Sequence, residues 1–331
     1  AWYRYNDDGY GEHNDGSPFD GAGTGLARQV GVEGYYVRIA PPESADAPSP
    51  ATGFVPIKNR PSGEGMAPAA QIVSPDALAL VRFGLRSPDD PRIVNTVRVI
   101  DALLKKEMPS GPAWYRYNDD GYGEHDDGSP FDGAGIGRPW PLLVGERAHY
   151  ELAAGRHGEA ERLREVMAAF ANESGLIPEQ IWDGADLPER ELFQGRPSGS
   201  AAPLVWAHAE YLKLCRSLRD GRVFDMPQRT VERYRERGTG SPFVIWRFSH
   251  KCRTLAAGRT LRLELAAPAT VRWSGNGWRT AQEATARDTG LGLHVADLAT
   301  SGLSAGALVV FTFYWQGDGR WEGVDYTLAV R

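Results

Sequence analysis

LLVGERAHYELAAGRHGEAERLREVMAAFANESG, residues 142–175, decides the reading of the fold. It reads as two helices, 142–156 and 158–175, joined by a glycine-containing turn, the pattern of an antiparallel helical hairpin. The same rhythm extends in both directions. Residues 176–200, LIPEQIWDGADLPERELFQGRPSGS, form a polar and aromatic loop, and APLVWAHAEYLKLCRSL, 202–218, returns to helix. Upstream lies a second long loop, WYRYNDDGYGEHDDGSPFDGAGIGRPWPLL, 114–143. Before it, residues 74–109 give two helices. Ser74 caps the first, with Pro75 at its first position. Leu78, Val81, Arg82 and Leu85 follow helical spacing. Ser87-Pro88 ends that helix, and DPRIVNTVRVIDALLKK supplies the next, with Ile93, Val97, Ile100, Leu103 and Leu104 apolar. Residues 41–70, rich in Pro, Ala and Gly, read as a long surface loop.

Past residue 242 the period changes. FVIWRF, LRLELA, TVRWS, LVVFTFYW and YTLAVR are short β-type runs separated by Gly, Pro and Asn turns. The expected architecture is therefore mainly α. Helical hairpins packed side by side occupy residues 26–241, and a small sandwich-like all-β domain occupies 242–331.

The chain has 331 residues, 41% hydrophobic and 24% charged, with net charge −6. That balance, without a basic stripe, argues against a nucleic-acid partner. No apolar run reaches the length of a membrane span. Two cysteines make neither a disulfide framework nor a zinc site, and no metal or cofactor is expected. The Asp-rich DDGYGEHDDG misses the spacing of a calcium loop. GTGLAR, GAGIGR and GTGSPF lack the preceding strand of a nucleotide loop. Ten Trp and thirteen Tyr suit either sugar stacking or a large core. The compartment cannot be read from this chain.

Residues 1–25 and 113–137 are identical but for Asn14 against Asp126 and Thr24 against Ile136. Such identity is too high for an ancient structural repeat. Arg4, Glu12 and His13 then belong either to a solvated tail or to a segment docked on the helical part. The first residue already lies inside the repeat, so the chain is expected to be a fragment.

The long loops carry the candidate chemistry. Arg116 offers five fixed donors to neighbouring hydroxyls. Trp114, Trp140 and Trp182 offer stacking faces. Glu179 sits among apolar and aromatic neighbours, where a carboxylate can act as a base; on its spacing alone it reads equally as a solvated loop residue or a helix cap. Glu124, Glu191 and Glu210 are further carboxylates. In the β region, Trp273, Trp278, Trp315 and Trp321 are either a sugar-binding surface or core residues.

Taken together, WYRYNDDGYGE, GRPWPLLVGERAHYELAAGR, GLIPEQIWD and GSAAPLVWAHAEYLKL resemble the bacterial glucoamylase and glucodextranase group of glycoside hydrolase family 15. LARQVGVEGYYVRIAPPE and DALALVRFGLR also resemble it. The resemblance runs from about Leu26 to Tyr234. It implies an (α/α)6 toroid, of which about six helices of twelve are present, and inverting release of β-glucose from the non-reducing ends of α-glucans. It implies Glu179 as general base and Arg116 and Trp140 as substrate-binding residues, with Glu124 accepting from sugar hydroxyls. The family's general acid lies in a Trp-Glu-Glu type segment upstream of the region like LARQVG. Here that place holds the extra copy of the loop, and the only Trp-Glu pair, Trp321-Glu322, lies in the β region. The implied partner is an α-glucan or α-glucoside. An open half-toroid would also self-associate, or bind glucan without turning it over.

Overall fold

The computed structural model describes residues 22–39, 53–238, 240–249 and 251–331. Residues 1–21, with Arg4, Glu12 and His13 of the duplicated segment, lie outside the described residues. The chain divides into two compact units between Gly238 and Thr239.

The first unit opens with α1 (Ala22–Val30), followed by a short hairpin of β1 (Phe54–Pro56) and β2 (Met66–Pro68). A 3-10 turn, Pro75–Leu78, leads into α2 (Ala79–Arg82). Ser74 caps that turn by accepting from the Asp76 N–H at 3.2 Å. α3 (Pro91–Leu103) starts where Asp90 accepts from the Arg92 N–H at 2.9 Å, with Pro91 at its first position. β3 (Lys105–Met108) and β4 (Gly111–Trp114) form a second hairpin, and α4 (Pro141–Ala153) and α5 (His157–Ala169) form the helical hairpin. α6 (Val205–Asp220) ends at Gly221 in the left-handed region, φ 66°. α7 (Gln228–Val231) continues into a wider π turn, Glu232–Glu236.

α4 is the centre of this unit and packs on α2, α5 and α6. Leu143, Val144, Ala148 and Leu152 are buried along it. Gly145 marks the closest approach. A β-carbon there would lie 2.7 Å from Glu210 Cγ on α6 and 3.0 Å from Met167 Sδ on α5. Only glycine lets all three helices meet at that level.

The two hairpins depart from the sequence reading. Residues 105 and 106 were expected to end the helix of 90–106. Instead the Pro109-Ser110-Gly111 turn folds them back on β4, with Gly111 at φ 124°. The part of the 41–70 loop that is described holds the β1–β2 hairpin rather than a plain loop. The structure is thus a mixture of helices and sheets, with strands in the first unit as well as the second.

In the second unit the regular elements of the described residues are strands: β5 (Phe243–Arg247), β6 (Thr254–Leu255), β7 (Thr260–Leu265), β8 (Ala269–Ser274) and β9 (Gln282–Thr285). They continue with β10 (Arg287–Asp288), β11 (His294–Leu298), β12 (Leu308–Trp315), β13 (Arg320–Trp321) and β14 (Tyr326–Val330). One sheet has the order β10-β11-β7-β5 and the other β6-β14-β12-β8-β9, with β13 paired to β12. β7 shows the period of a half-buried strand, its alternate residues Leu261, Leu263 and Leu265 buried. One apolar cluster takes residues from both sheets, and Trp246 meets Phe311 edge-on at 5.1 Å.

Candidate functional site

The loop between β4 and α4 is held at its two ends by a bridge. The Trp140 N–H donates to the Trp114 carbonyl at 2.9 Å. Between those points the chain passes so close to itself and to the turn between β1 and β2 that glycines are required. A β-carbon on Gly121 would lie 1.8 Å from the Asn59 carbonyl oxygen, and one on Gly123 2.2 Å from that of Ile136. Asn118 ties this loop to the segment before α2, accepting from the Val73 N–H at 2.9 Å and donating to the Gln71 carbonyl at 2.9 Å. The loop before α6 joins it, the Ile181 N–H donating to the Pro139 carbonyl at 3.0 Å. Both long loops therefore collect at the N-terminal ends of α2, α4 and α6.

Arg116 and Asp120, four residues apart, pair through two parallel bonds of 2.7 and 2.9 Å. Asp120 is buried and also accepts from the Tyr122 N–H at 3.1 Å. The Arg116 guanidinium is thereby fixed 4.8 Å from the Trp140 ring centroid and 5.0 Å from that of Tyr122. The Tyr122 hydroxyl donates to Glu179 Oε2 at 3.3 Å. Burial, and then the Glu179 charge, push the Tyr122 hydroxyl above its ordinary range, so it stays a donor.

Glu179 is half-buried, and its backbone is anchored by its own N–H on the Ala201 carbonyl at 2.8 Å. The neighbouring Gln180 fastens one loop to the other. It donates from Nε2 to the Tyr122 carbonyl at 3.0 Å and accepts the Arg138 N–H at 3.2 Å. Arg138 lies beneath, 4.2 Å from the Trp182 centroid. It donates to Asp183 Oδ1 at 2.8 Å and to the Glu124 carbonyl at 2.7 Å. Tyr115 donates to the other oxygen of Asp183, and burial followed by that carboxylate raises its hydroxyl pKa.

The structure thus brings Arg116, Trp140, Glu124 and Glu179 into two joined loops. It does not bring the faces of Trp114, Trp140 and Trp182 to the surface, and Trp140, beneath the Arg116 guanidinium, is 4% exposed. Trp114 is 3% exposed, donates to Asp101 Oδ1 at 3.0 Å and packs in the helical core. Trp182 is 0% exposed and donates to the Ala185 carbonyl at 2.7 Å. Both support the loops from below rather than offering a stacking face. Glu191 is exposed in a tight turn at φ 56°. Glu210 is buried on α6, bound to Arg82 at 2.7 Å and His149 at 2.7 Å.

Asp120, Tyr122, Arg138 and Gln180 were missed in the sequence. The four-residue spacing of Arg116 and Asp120 was the visible signal for one of them. Among the described residues, three buried side-chain polar atoms have no hydrogen-bond partner: Glu124 Oε2, Arg138 Nε and Trp140 Nε1. All three belong to this one loop. Unpaired buried polar groups are costly, and their concentration at one place is characteristic of functional sites. No group of His, Cys, Asp and Glu that could hold a metal ion occurs among the described residues, nor any helix long and apolar enough to cross a membrane.

In the second unit, Trp273 is buried in the shared cluster and Trp315 packs partly buried against it. Trp278 donates to Asp325 at 2.9 Å, and Trp321 is exposed beside Tyr314.

The family model of glycosyl hydrolases family 15 matches residues 64–216. A glucoamylase of Clostridium sp. (strain G0005) is 46% identical over 201 residues, which are 60% of this chain and 26% of that protein. A crystal structure of a bacterial glucoamylase complexed with acarbose matches at TM-score 0.53 and 44% identity, over 61% of this chain and 27% of that one. The chain spans about a quarter of the length of these relatives.

Proposed function

We infer that this chain, whose residues 64–216 match the model of glycosyl hydrolases family 15, carries the general-base side of an α-glucan exo-hydrolase site. Glu179 is the base. It takes a proton from the water that attacks the anomeric carbon, and the sugar leaves with inverted configuration as β-glucose. The Tyr122 hydroxyl, 3.3 Å from Glu179 Oε2, carries this assignment. A neutral donor on one carboxylate oxygen orients the group and leaves the other oxygen for water. Arg116, held by Asp120 over Trp140, presents its remaining donors to sugar hydroxyls, and Glu124 supplies an acceptor. Trp114 and Trp182 act through the residues they support.

The fold that goes with this reading is about half of an (α/α)6 toroid over residues 26–241, with a sandwich-like β domain over 242–331. The helix pairs packed on α4 support the first, and the apolar cluster common to two sheets supports the second.

Inversion needs a second carboxyl, a general acid, roughly 6.5–9.5 Å from the base. Residues 1–331 contain no counterpart of the family's acid segment. Loss of general acid catalysis typically costs ~10²–10⁴-fold in rate. By itself, therefore, the chain binds α-glucan and does not turn it over, with Trp278 and Trp321 of the second unit as further contacts.

The test is incubation with maltotriose and isomaltotriose, with proton NMR of any glucose released, beside a Glu179→Gln variant. Retention on immobilised starch is measured in parallel. Retention without release above background is expected. β-Glucose that disappears in the variant would establish Glu179 and refute the inactivity of the chain. Neither retention nor release would refute the site.

A further inference from the structure

We propose that the cleft between α2, α4 and α6 is a self-complementary docking surface. It pairs with the same cleft of a second copy across a two-fold axis, Lys213 of each copy reaching Glu146 of the other. This rests on the geometry of the cleft and not on the glucan reading.

The cleft encloses about 300 Å³, and Leu78, Phe83, Leu142, Glu146, Trp206 and Lys213 are among the residues that line it. Trp206 on α6 is 69% exposed and Phe83, after α2, is 40% exposed. Two large rings on one concave face are the apolar content of an interface core.

The charges of the cleft are unevenly used. Arg82 is spent, bonding Glu210 at 2.7 Å and Asp225 at 2.8 Å. Glu146 has no hydrogen bond or ion pair among the described residues. The charged and titratable groups around it are Glu210 and Lys213 from α6, Arg82 from α2, Asp76 from the turn before α2, and His149 one turn on along α4. Lys213 makes only long contacts, 3.7 Å to Glu210 and 3.8 Å to Asp225, with its side chain 43% exposed. One cleft therefore offers an unpaired carboxylate and an under-used ammonium. A two-fold contact places residue i on residue j and j on i, so these two groups satisfy each other twice.

The pH dependence separates this pairing from simple apolar contact. Burial, then the charges of Glu210 and Asp76, hold the Glu146 carboxyl up to about 7 in the single copy. A facing ammonium lowers it. Pairing therefore strengthens as pH rises through 7 and weakens as the pH falls and the carboxyl takes up its proton. An association driven by apolar contact alone would strengthen at low pH, where Glu146 is neutral.

Sedimentation velocity of the whole chain at pH 8 and pH 5.5 tests this. A dimer at pH 8 is expected, with the dissociation constant weaker by roughly tenfold or more at pH 5.5. Glu146→Lys alone and Lys213→Glu alone each place like charges together and are expected to be monomeric. An equimolar mixture of the two variants restores both opposite-charge pairs and is expected to dimerise. Trp206→Ser, at an exposed position, is expected to be monomeric with an unchanged circular dichroism spectrum. Three results would overturn the proposal: a wild-type chain that stays monomeric at pH 8 up to ~100 µM, a dimer that tightens at pH 5.5, or a variant mixture that remains monomeric.

Discussion

Glu210→Gln is the sharpest single perturbation of the helical unit. Glu210 is 3% exposed and accepts from Arg82 Nη1 at 2.7 Å, and Oε1 also faces His149 Nδ1 at 2.7 Å. The other imidazole nitrogen meets Ser217 Oγ at 3.0 Å. Desolvation by itself would raise the Glu210 carboxyl. The bonds and charges of His149 and Arg82 overcome it and bring the group down to about 2. The folded pKa lies below the unfolded one, so this stability is present above pH 4.5 and is lost as pH falls through 4.5 toward 2. At neutral pH it amounts to about 3 kcal/mol, from roughly 1.4 kcal/mol per unit. That agrees with the ~3–5 kcal/mol typical of breaking a buried ion pair. At pH 3 the linkage leaves about 1 kcal/mol. Urea unfolding followed by the helical circular dichroism signal, which reports mainly on the first unit, compares wild type and variant at pH 7 and pH 3. The expected loss is about 3 kcal/mol at pH 7, shrinking to about a third at pH 3. An equal loss at both values, or one below about 1 kcal/mol at pH 7, would refute the charge-based account.

Glu146→Gln should act in the opposite sense. The folded carboxyl sits at about 7, so its contribution is complete below 4.5 and fades as pH rises through 7. At pH 8 in dilute, monomeric solution the Gln variant is expected to be more stable by at most about 3 kcal/mol, with the gap closing near pH 5. Urea midpoints across that range check it. Gly123→Ala places a methyl group 2.2 Å from the Ile136 carbonyl oxygen and 2.8 Å from Gln180 Oε1. It is expected to cost about 1–3 kcal/mol in a melt and to weaken retention on starch by disturbing the Gln180 link. Arg116→Lys loses the two-bond fork on Asp120. Calorimetric titration with maltotriose is expected to show roughly 10- to 100-fold weaker binding with little change in melting temperature.

The sequence by itself determined the local elements. Apolar periodicity and capping chemistry act within a few residues, so the α4–α5 hairpin, the cap at Ser74 and the helix over α6 follow from neighbouring residues alone. Arg116 and Glu179 stood out as candidates because unusual polar residues lay in long loops between those helices. Only the tertiary structure decided that the loop tryptophans are buried. Trp114, Trp140 and Trp182 share local surroundings of polar and aromatic residues, and contacts with Asp101, Arg116 and Arg138 go with the burial of all three. The same is true of the carboxylates. Glu146 and Glu210 both lie on helices facing one cleft, and nothing in their sequence neighbourhood separates them. The direct bonds of Arg82 and His149 to Glu210, which Glu146 lacks, send Glu210 down to about 2 and leave Glu146 at about 7. Charge depends on what lies within a few ångströms in space, and that is fixed only once α2, α4 and α6 have packed.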